Sequence, residues 1–193
     1  MTRNPWLWAT LAAKALLVGL LVLAVLRPDL EQFQGKAMAA RALTYPLAAL
    51  LVPVVWGLWF RRRSAYPYLL DIVVVAPFLI DTAGNALNLY DTIGWWDDAN
   101  HLVNWFLVAG AGGLVLLRLP VGRLAAAGLT LGFGAVTHIL WELAEYVAFI
   151  NANEEELATA YTDTLGDMAL SLTGSALAAL AVYLLWARRR APA

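Results

Sequence analysis

The sequence of 193 residues contains no cysteine. This absence excludes disulfide bonds, thiolate metal ligands and cysteine nucleophiles. Charge is also scarce, because Asp, Glu, Lys and Arg make up only 14% of the chain, against about 25% in a soluble domain. The net charge of −1 gives no basic surface of the kind that binds nucleic acid. We therefore expect no nucleic-acid partner.

Hydrophobic residues, by contrast, make up 62% of the chain, and long apolar runs recur along its whole length. This pattern predicts an all-α, polytopic membrane protein with the lipid bilayer as its solvent. There is no room for a separate soluble domain, so residues 1–193 are predicted to form one integral membrane domain. The six predicted spans are residues 6–26, 44–60, 66–90, 97–117, 124–149 and 161–186. The first run resembles a signal peptide, but its length of about 20 residues predicts an uncleaved helix.

The basic residues predict the orientation of these spans. With the N-terminus in the cytoplasm, nine of the thirteen basic residues lie on the cytoplasmic side, namely Arg3, Arg61, Arg62, Arg63, Arg118, Arg123, Arg188, Arg189 and Arg190. The opposite side carries Arg27, Lys36 and Arg41. Cytoplasmic loops of membrane proteins are enriched in basic residues. Both termini are therefore predicted to be cytoplasmic.

Polar side chains recur at positions i, i+4 and i+7 on the last four predicted helices, a spacing that places them on one helix face. The stripes are Asp81, Asn85 and Asn88; Asp97, His101 and Asn104; His138, Glu142 and Glu145; and Asp163, Asp167, Ser171 and Gly174. A rise of about 1.5 Å per residue puts the acids and histidines of these stripes in the extracytoplasmic half of the membrane. We predict a six-helix bundle whose stripes face its interior and line a cavity open to the extracytoplasmic side.

The cost of placing charge in a membrane favours a function for these stripes. A charged side chain at the bilayer centre costs at least about 2.5 kcal/mol, whereas an interhelical hydrogen bond contributes on average about 0.6 kcal/mol. Carboxylates and imidazoles without thiolates suit a divalent ion such as Mg, Mn, Ca or Zn. The predicted ligands are Asp97, His101, His138, Glu142, Asp163 and Asp167. The alternative is a proton relay through the same groups.

Two further charged residues lie in predicted spans. Lys14 is in the middle of the first span, and Asp71 is in the cytoplasmic half of the third. Their depths are similar, so we predict a buried, structural ion pair between them.

Three short motifs resemble the YjdF-like inner-membrane proteins of bacteria and archaea, a family without an assigned function. They are Asp97-Asp98-Ala99-Asn100-His101, Trp141-Glu142-x-x-Glu145 and Tyr161-x-Asp163-Thr164-x-x-Asp167, and the resemblance covers residues 66–186. It implies a bacterial or archaeal cytoplasmic membrane. The motifs are also similar, more distantly, to those of VanZ-like proteins. The departures from that pattern are Asp98 for lysine, Glu145 for glutamine, Asp167 for asparagine and Leu170 for glycine, and the added acid favours a cation.

Three classes of function fit these observations. The first is a metal-dependent hydrolase or transferase acting on an amphiphilic or lipid-linked substrate, with Glu145 as general base and Asp81 and Asp98 as further catalytic carboxylates. The second is a cation-binding or proton-coupled transporter. The third is a non-catalytic membrane scaffold. An intramembrane aspartyl protease is disfavoured, because Thr164 replaces a glycine of its second motif and Asp91 lies in a predicted loop.

Overall fold

The computed structural model describes residues 4–148 and 150–189, without the side chains of residues 155–156 and 187–189. The described residues form α-helices and no strand. The helices are α1 (Pro5–Leu26), α2 (Met38–Val55), α3 (Tyr68–Ala86), α4 (Leu89–Thr92), α5 (Trp96–Leu116), α6 (Arg123–Ala148) and α7 (Glu154–Arg189). A π-helical turn, Trp56–Phe60, continues α2, and short 3-10 turns lie at Glu31–Phe33 and Ile150–Ala152.

Six helical segments are long and apolar enough to cross a membrane. They are Pro5–Leu26, Met38–Phe60, Tyr68–Ala86, Trp96–Leu116, Arg123–Ala152 and Leu157–Trp186. Their number and order confirm the predicted all-α, polytopic membrane protein.

The predicted third span is too long, because residues 66–90 are not one helix. The helix α3 ends at Ala86, and Asn88 adopts a left-handed backbone conformation with φ of 56°. A residue in that conformation cannot continue a right-handed helix. Asn88 therefore does not extend the polar stripe of Asp81 and Asn85. The predicted second span begins too late, since α2 starts at Met38.

The predicted bounds of the remaining spans agree with the helices within a few residues, except that α7 extends beyond its predicted span at both ends. The last residue of the predicted fifth span, Phe149, lies outside the described residues, as do Arg3 and Arg190. The chain divides into two compact units, the first ending at Gly94 and the second beginning at Trp95. The prediction of one membrane domain stays a prediction.

The first unit contains the predicted ion pair between α1 and α3. Lys14 Nζ lies 2.7 Å from Asp71 Oδ2, and the Asp71 side chain is fully buried. The Tyr66 hydroxyl donates a second hydrogen bond to the same oxygen, with a donor–acceptor distance of 2.5 Å. Burial, and then the hydrogen bond to Asp71, raise the pKa of Tyr66 above its usual value, which keeps its hydroxyl protonated as a donor. The predicted pair is confirmed.

The second unit is built from α5, α6 and α7, and α7 packs against both other helices. Two glycines permit close approach. A Cβ on Gly174 would collide with the main-chain oxygen of Leu102 on α5, and a Cβ on Gly134 would collide with Ser175 on α7. Small residues at such contacts let helix backbones approach closely in membranes. This packing brings the polar stripes of α5, α6 and α7 together.

Candidate metal-binding site

The histidine of α5 lies between carboxylates from two helices. Asp97 and His101 are one turn apart, and His101 Nε2 is 3.7 Å from Asp97 Oδ1. The same nitrogen is 3.5 Å from Asp167 Oδ1 on α7. His101 and Asp167 are buried, whereas the Asp97 side chain is 47% exposed. Acidic residues in the first turn of a helix are favoured by its dipole, so Asp97 suits the start of α5.

A second histidine–carboxylate pair lies along one turn of α6. His138 Nε2 is 2.9 Å from Glu142 Oε1, with side-chain exposures of 4% and 11%. Both atoms are buried; they face each other at ion-pair distance, and neither forms a hydrogen bond with any other residue. The other carboxylate oxygen, Glu142 Oε2, accepts a hydrogen bond from Thr164 Oγ1 at 3.3 Å. Apart from this mutual contact the two atoms have no partner, whereas buried polar atoms are normally hydrogen-bonded.

These residues form two sets of three whose ligand atoms lie within 4.8 Å of one another. One set is His101, His138 and Glu142, and the other is Asp97, His101 and Asp167. Metal–ligand bonds of about 2.1 Å place two ligand atoms of a tetrahedral ion roughly 3.4 Å apart. In the first set, His138 Nε2 and Glu142 Oε1 are 2.9 Å apart, which is shorter than that value. In the second set, His101 Nε2 is 3.5 and 3.7 Å from its two carboxylate oxygens, which is slightly longer. These separations are compatible with the ligation of one ion by each set.

The electrostatic environment of the two sets is strongly acidic. Asp167 interacts with the charges of Asp97, Asp163, Glu142 and Asp98. Carboxylates this close repel one another in a medium of low dielectric constant. A bound cation would lower that repulsion.

Aromatic rings form one wall of the site. The Trp105 ring stacks on the His101 ring with centroids 5.6 Å apart and packs edge-on against His138 at 4.7 Å. Trp141 packs against Trp105 in turn, at 5.9 Å. This wall orients both imidazoles and keeps water from their faces. Sequence reasoning missed Trp105, although its position one turn after His101 was a usable signal.

Three predicted site residues of the second unit do not join either set. Asp98 and Asp163 are exposed, and Glu145 is partly buried on α6, three residues after Glu142. Asp163 nevertheless interacts with the charges of Glu142 and Asp98. The predicted catalytic roles of Asp98 and Glu145, and the predicted ligand role of Asp163, stay predictions.

The remaining predicted carboxylate, Asp81, belongs to the first unit and is buried there. Its Oδ2 accepts hydrogen bonds from Arg41 Nε at 3.0 Å and from Tyr45 Oη at 2.6 Å. Its Oδ1 accepts one from Tyr90 Oη at 2.7 Å. These contacts give Asp81 a structural role, and its catalytic role stays a prediction. Sequence reasoning missed Arg41 and Tyr45 as its partners, although they are one turn apart at the start of α2.

Comparison with protein families gives a match that covers the whole site. A family model described as "Predicted membrane protein (DUF2238)" matches residues 9–189. The chain belongs to this family. The predicted YjdF-like membership is consistent with that match. No curated protein and no solved structure matches the chain, so the likeness to VanZ-like proteins stays a prediction.

The DUF2238 match also has a consequence for the site. It includes the whole of α5, α6 and α7, and hence every residue of the two ligand sets. The family description says only that these are membrane proteins. Any more specific activity must be argued from the residues themselves.

Proposed function

We propose that the second unit binds a divalent metal ion and that the protein is a metal-dependent hydrolase or transferase acting on an amphiphilic or lipid-linked substrate. The observation that carries this proposal is the His138–Glu142 pair. Its facing Nε2 and Oε1 atoms are buried, 2.9 Å apart, and hydrogen-bonded to no other residue. A cation between them would satisfy both lone pairs.

The donor set is consistent with borderline and hard divalent ions. Two imidazoles and one carboxylate form the first set, a combination that zinc and related ions use in catalytic sites. One imidazole and two carboxylates form the second set and suit Mg or Mn as well. Such an ion would activate water or polarise a phosphoryl or acyl oxygen. Glu145, one turn from Glu142, is the proposed general base.

The position of the site favours a substrate held in the membrane. Asp97 lies in the first turn of α5, whereas His138 lies ten residues before the end of α6, about 15 Å along the helix. The site therefore extends from the end of the helices into the hydrophobic layer. A water-soluble substrate would have to be recruited from solution, whereas a lipid-linked substrate is already anchored in the membrane next to the site.

The first experiment measures the metal content of the detergent-purified protein by mass spectrometry. We expect about one divalent ion per chain, lost in His138→Ala and in Asp167→Ala. Asp29→Ala, which removes an exposed carboxylate from the first unit, is the control and should keep the ion. Absence of metal after incubation with Mn and Zn would reject the metal site. The same outcome would favour proton-coupled transport or a structural polar core.

The second experiment tests the reaction class. The metal-loaded protein is incubated with lipid-linked phosphates in mixed micelles, and phosphate release is measured with and without a chelator. We expect release that depends on the metal and is lost in Glu145→Gln at unchanged metal content. Metal binding without turnover of any such substrate would leave a binding protein rather than an enzyme.

A cation transporter is the second candidate, and one observation favours it. The two ligand sets share His101, so an ion could pass from the half-exposed Asp97 set to the buried His138 set. Uptake of labelled Mn or Zn by proteoliposomes would test this function. Uptake that is abolished by His101→Ala would favour transport over hydrolysis.

A further inference from the structure

Ser171 contacts the imidazole of His101 through the ring nitrogen that does not face the carboxylates. Ser171 Oγ is 3.3 Å from His101 Nδ1 and 3.4 Å from the main-chain oxygen of His101. Ser171 lies on α7, one turn after Asp167, and is fully buried. Bulk water therefore does not compete for these contacts.

The two contacts together favour one position for the hydrogen of the imidazole. A carbonyl oxygen only accepts hydrogen bonds, whereas a serine hydroxyl has one hydrogen to donate and lone pairs to accept. When the Ser171 hydroxyl donates to the His101 carbonyl oxygen, its lone pairs face His101 Nδ1, and Nδ1 is then the donor in the second contact.

We infer that Ser171 fixes His101 as the tautomer with its hydrogen on Nδ1, and thereby makes Nε2 the metal-binding atom. The Nε2 lone pair then faces Asp97 Oδ1 and Asp167 Oδ1, at 3.7 and 3.5 Å. In the other tautomer, Nε2 would carry the hydrogen and donate it to a carboxylate. No lone pair would then be directed towards an ion.

Ser171 is a positioning residue on this reading, since it acts through His101. Metal-binding histidines commonly donate their other ring N–H to a neighbouring acceptor, which fixes the ring and its tautomer. The inference rests on the proposed function for the role of the metal. The tautomer itself is a property of the ion-free protein, so it can be measured separately.

The chain is well suited to that measurement, because it contains only two histidines. Nitrogen-15 labelling of histidine gives NMR signals in which protonated and unprotonated ring nitrogens are well separated. The signals that disappear in His138→Gln belong to His138, and the others to His101. We expect the native, metal-free protein to show His101 with a protonated Nδ1 and an unprotonated Nε2.

Two serine variants then test whether Ser171 causes His101 to prefer this tautomer. Ser171→Ala removes the acceptor, and we expect His101 to lose its preference for that tautomer. Ser175→Ala is the matched control, because Ser175 lies one turn further along α7, is equally buried, and its Oγ has no hydrogen-bond partner. It should leave the tautomer unchanged. Titration with Zn or Mn should show a 10- to 100-fold weaker affinity in Ser171→Ala only.

The outcomes separate this inference from the proposed function. A native His101 with its hydrogen on Nε2 would overturn the inference, and so would an unchanged tautomer in Ser171→Ala. If Ser171→Ala does not fold, the tautomer of the native protein decides. A native protein that has the expected tautomer but binds no metal would reject the proposed function and leave Ser171 as a determinant of the tautomer alone.

Discussion

Asp71 and Asp81 are both buried in the first unit, and each has a basic partner, but their hydrogen bonding differs. Both oxygens of Asp81 accept hydrogen bonds, whereas Asp71 accepts all of its bonds on Oδ2 and its Oδ1 has no partner. Removing one member of a buried ion pair leaves an uncompensated charge, which costs more than the pair itself contributes. The consequences can be tested one residue at a time.

Replacing Lys14 with methionine should destabilise the protein by about 3 kcal/mol, because the Asp71 carboxylate would be left buried and without a cation. Unfolding in detergent measures the change. The double variant Lys14→Met with Asp71→Asn should recover part of the loss. Arg27→Gln, which breaks an exposed pair with Asp29, should leave the unfolding transition unchanged. Native-like stability of Lys14→Met would mean that the pair has no structural role.

Replacing Asp81 with asparagine should likewise lower stability, by about 3 kcal/mol, because Arg41 and two tyrosine hydroxyls lose a charged acceptor. The metal content should stay as in the native protein, since Asp81 belongs to neither ligand set. Stability and metal content are measured on the same preparation. A loss of metal at native stability would instead make Asp81 part of the site.

At the scale of helices, the close approach of α7 to α5 determines the geometry of the second ligand set. His101 and Asp167 belong to these two helices, and their contact requires the short distance that Gly174 permits. The added Cβ of an alanine would meet main-chain atoms of Leu102 and Phe106, which cannot rotate away. The clash can be relieved only if the backbones of α5 and α7 move apart.

Gly174→Ala should therefore destabilise the protein by about 1–3 kcal/mol, as overpacking does in other cores, and weaken metal binding. Gly166→Ala is a matched control on the same helix, since its Cβ would meet nothing within 4 Å. That substitution should stabilise α7 by about 0.5–1 kcal/mol, because alanine is the better helix former. Thermal unfolding and metal titration of both variants provide the comparison. Equal changes in stability and metal affinity in the two variants would show that the packing of α5 against α7 does not depend on the contact at Gly174.

The helices and their polar faces could be predicted from the sequence, because both follow from local patterns. Apolar runs of about 20 residues predict spans, and the 3.6-residue period places Asp97 and His101 on one face. The end of α3 was missed, since the left-handed conformation of Asn88 depends on a single residue. The partners of Asp81 could not be predicted, because Arg41 and Asp81 are 40 residues apart and no local period relates them. The same holds for Ser171 and His101, whose contact depends on how two helices pack.

At the scale of the whole molecule, the ends of the second unit differ in charge. Asp97 and Asp98 lie in the first turn of α5, whereas Arg118 follows the end of that helix and Arg123 begins α6. The Arg123 guanidinium packs on the Tyr183 ring at 3.4 Å and donates to the Tyr183 carbonyl oxygen. Basic residues favour the cytoplasmic side. The acidic end would then open to the extracytoplasmic side.

This orientation can be tested with single cysteines, because the natural chain has none. Ser64→Cys places one thiol at an exposed position between α2 and α3, and Asn151→Cys places one at an exposed position in the 3-10 turn Ile150–Ala152. In intact cells, a membrane-impermeant maleimide should label Asn151→Cys and spare Ser64→Cys. Permeabilised cells, the control for reactivity, should show both labelled. The reverse labelling pattern would mean that the site opens to the cytoplasm. The substrate would then be a lipid-linked molecule of the inner leaflet rather than of the outer leaflet.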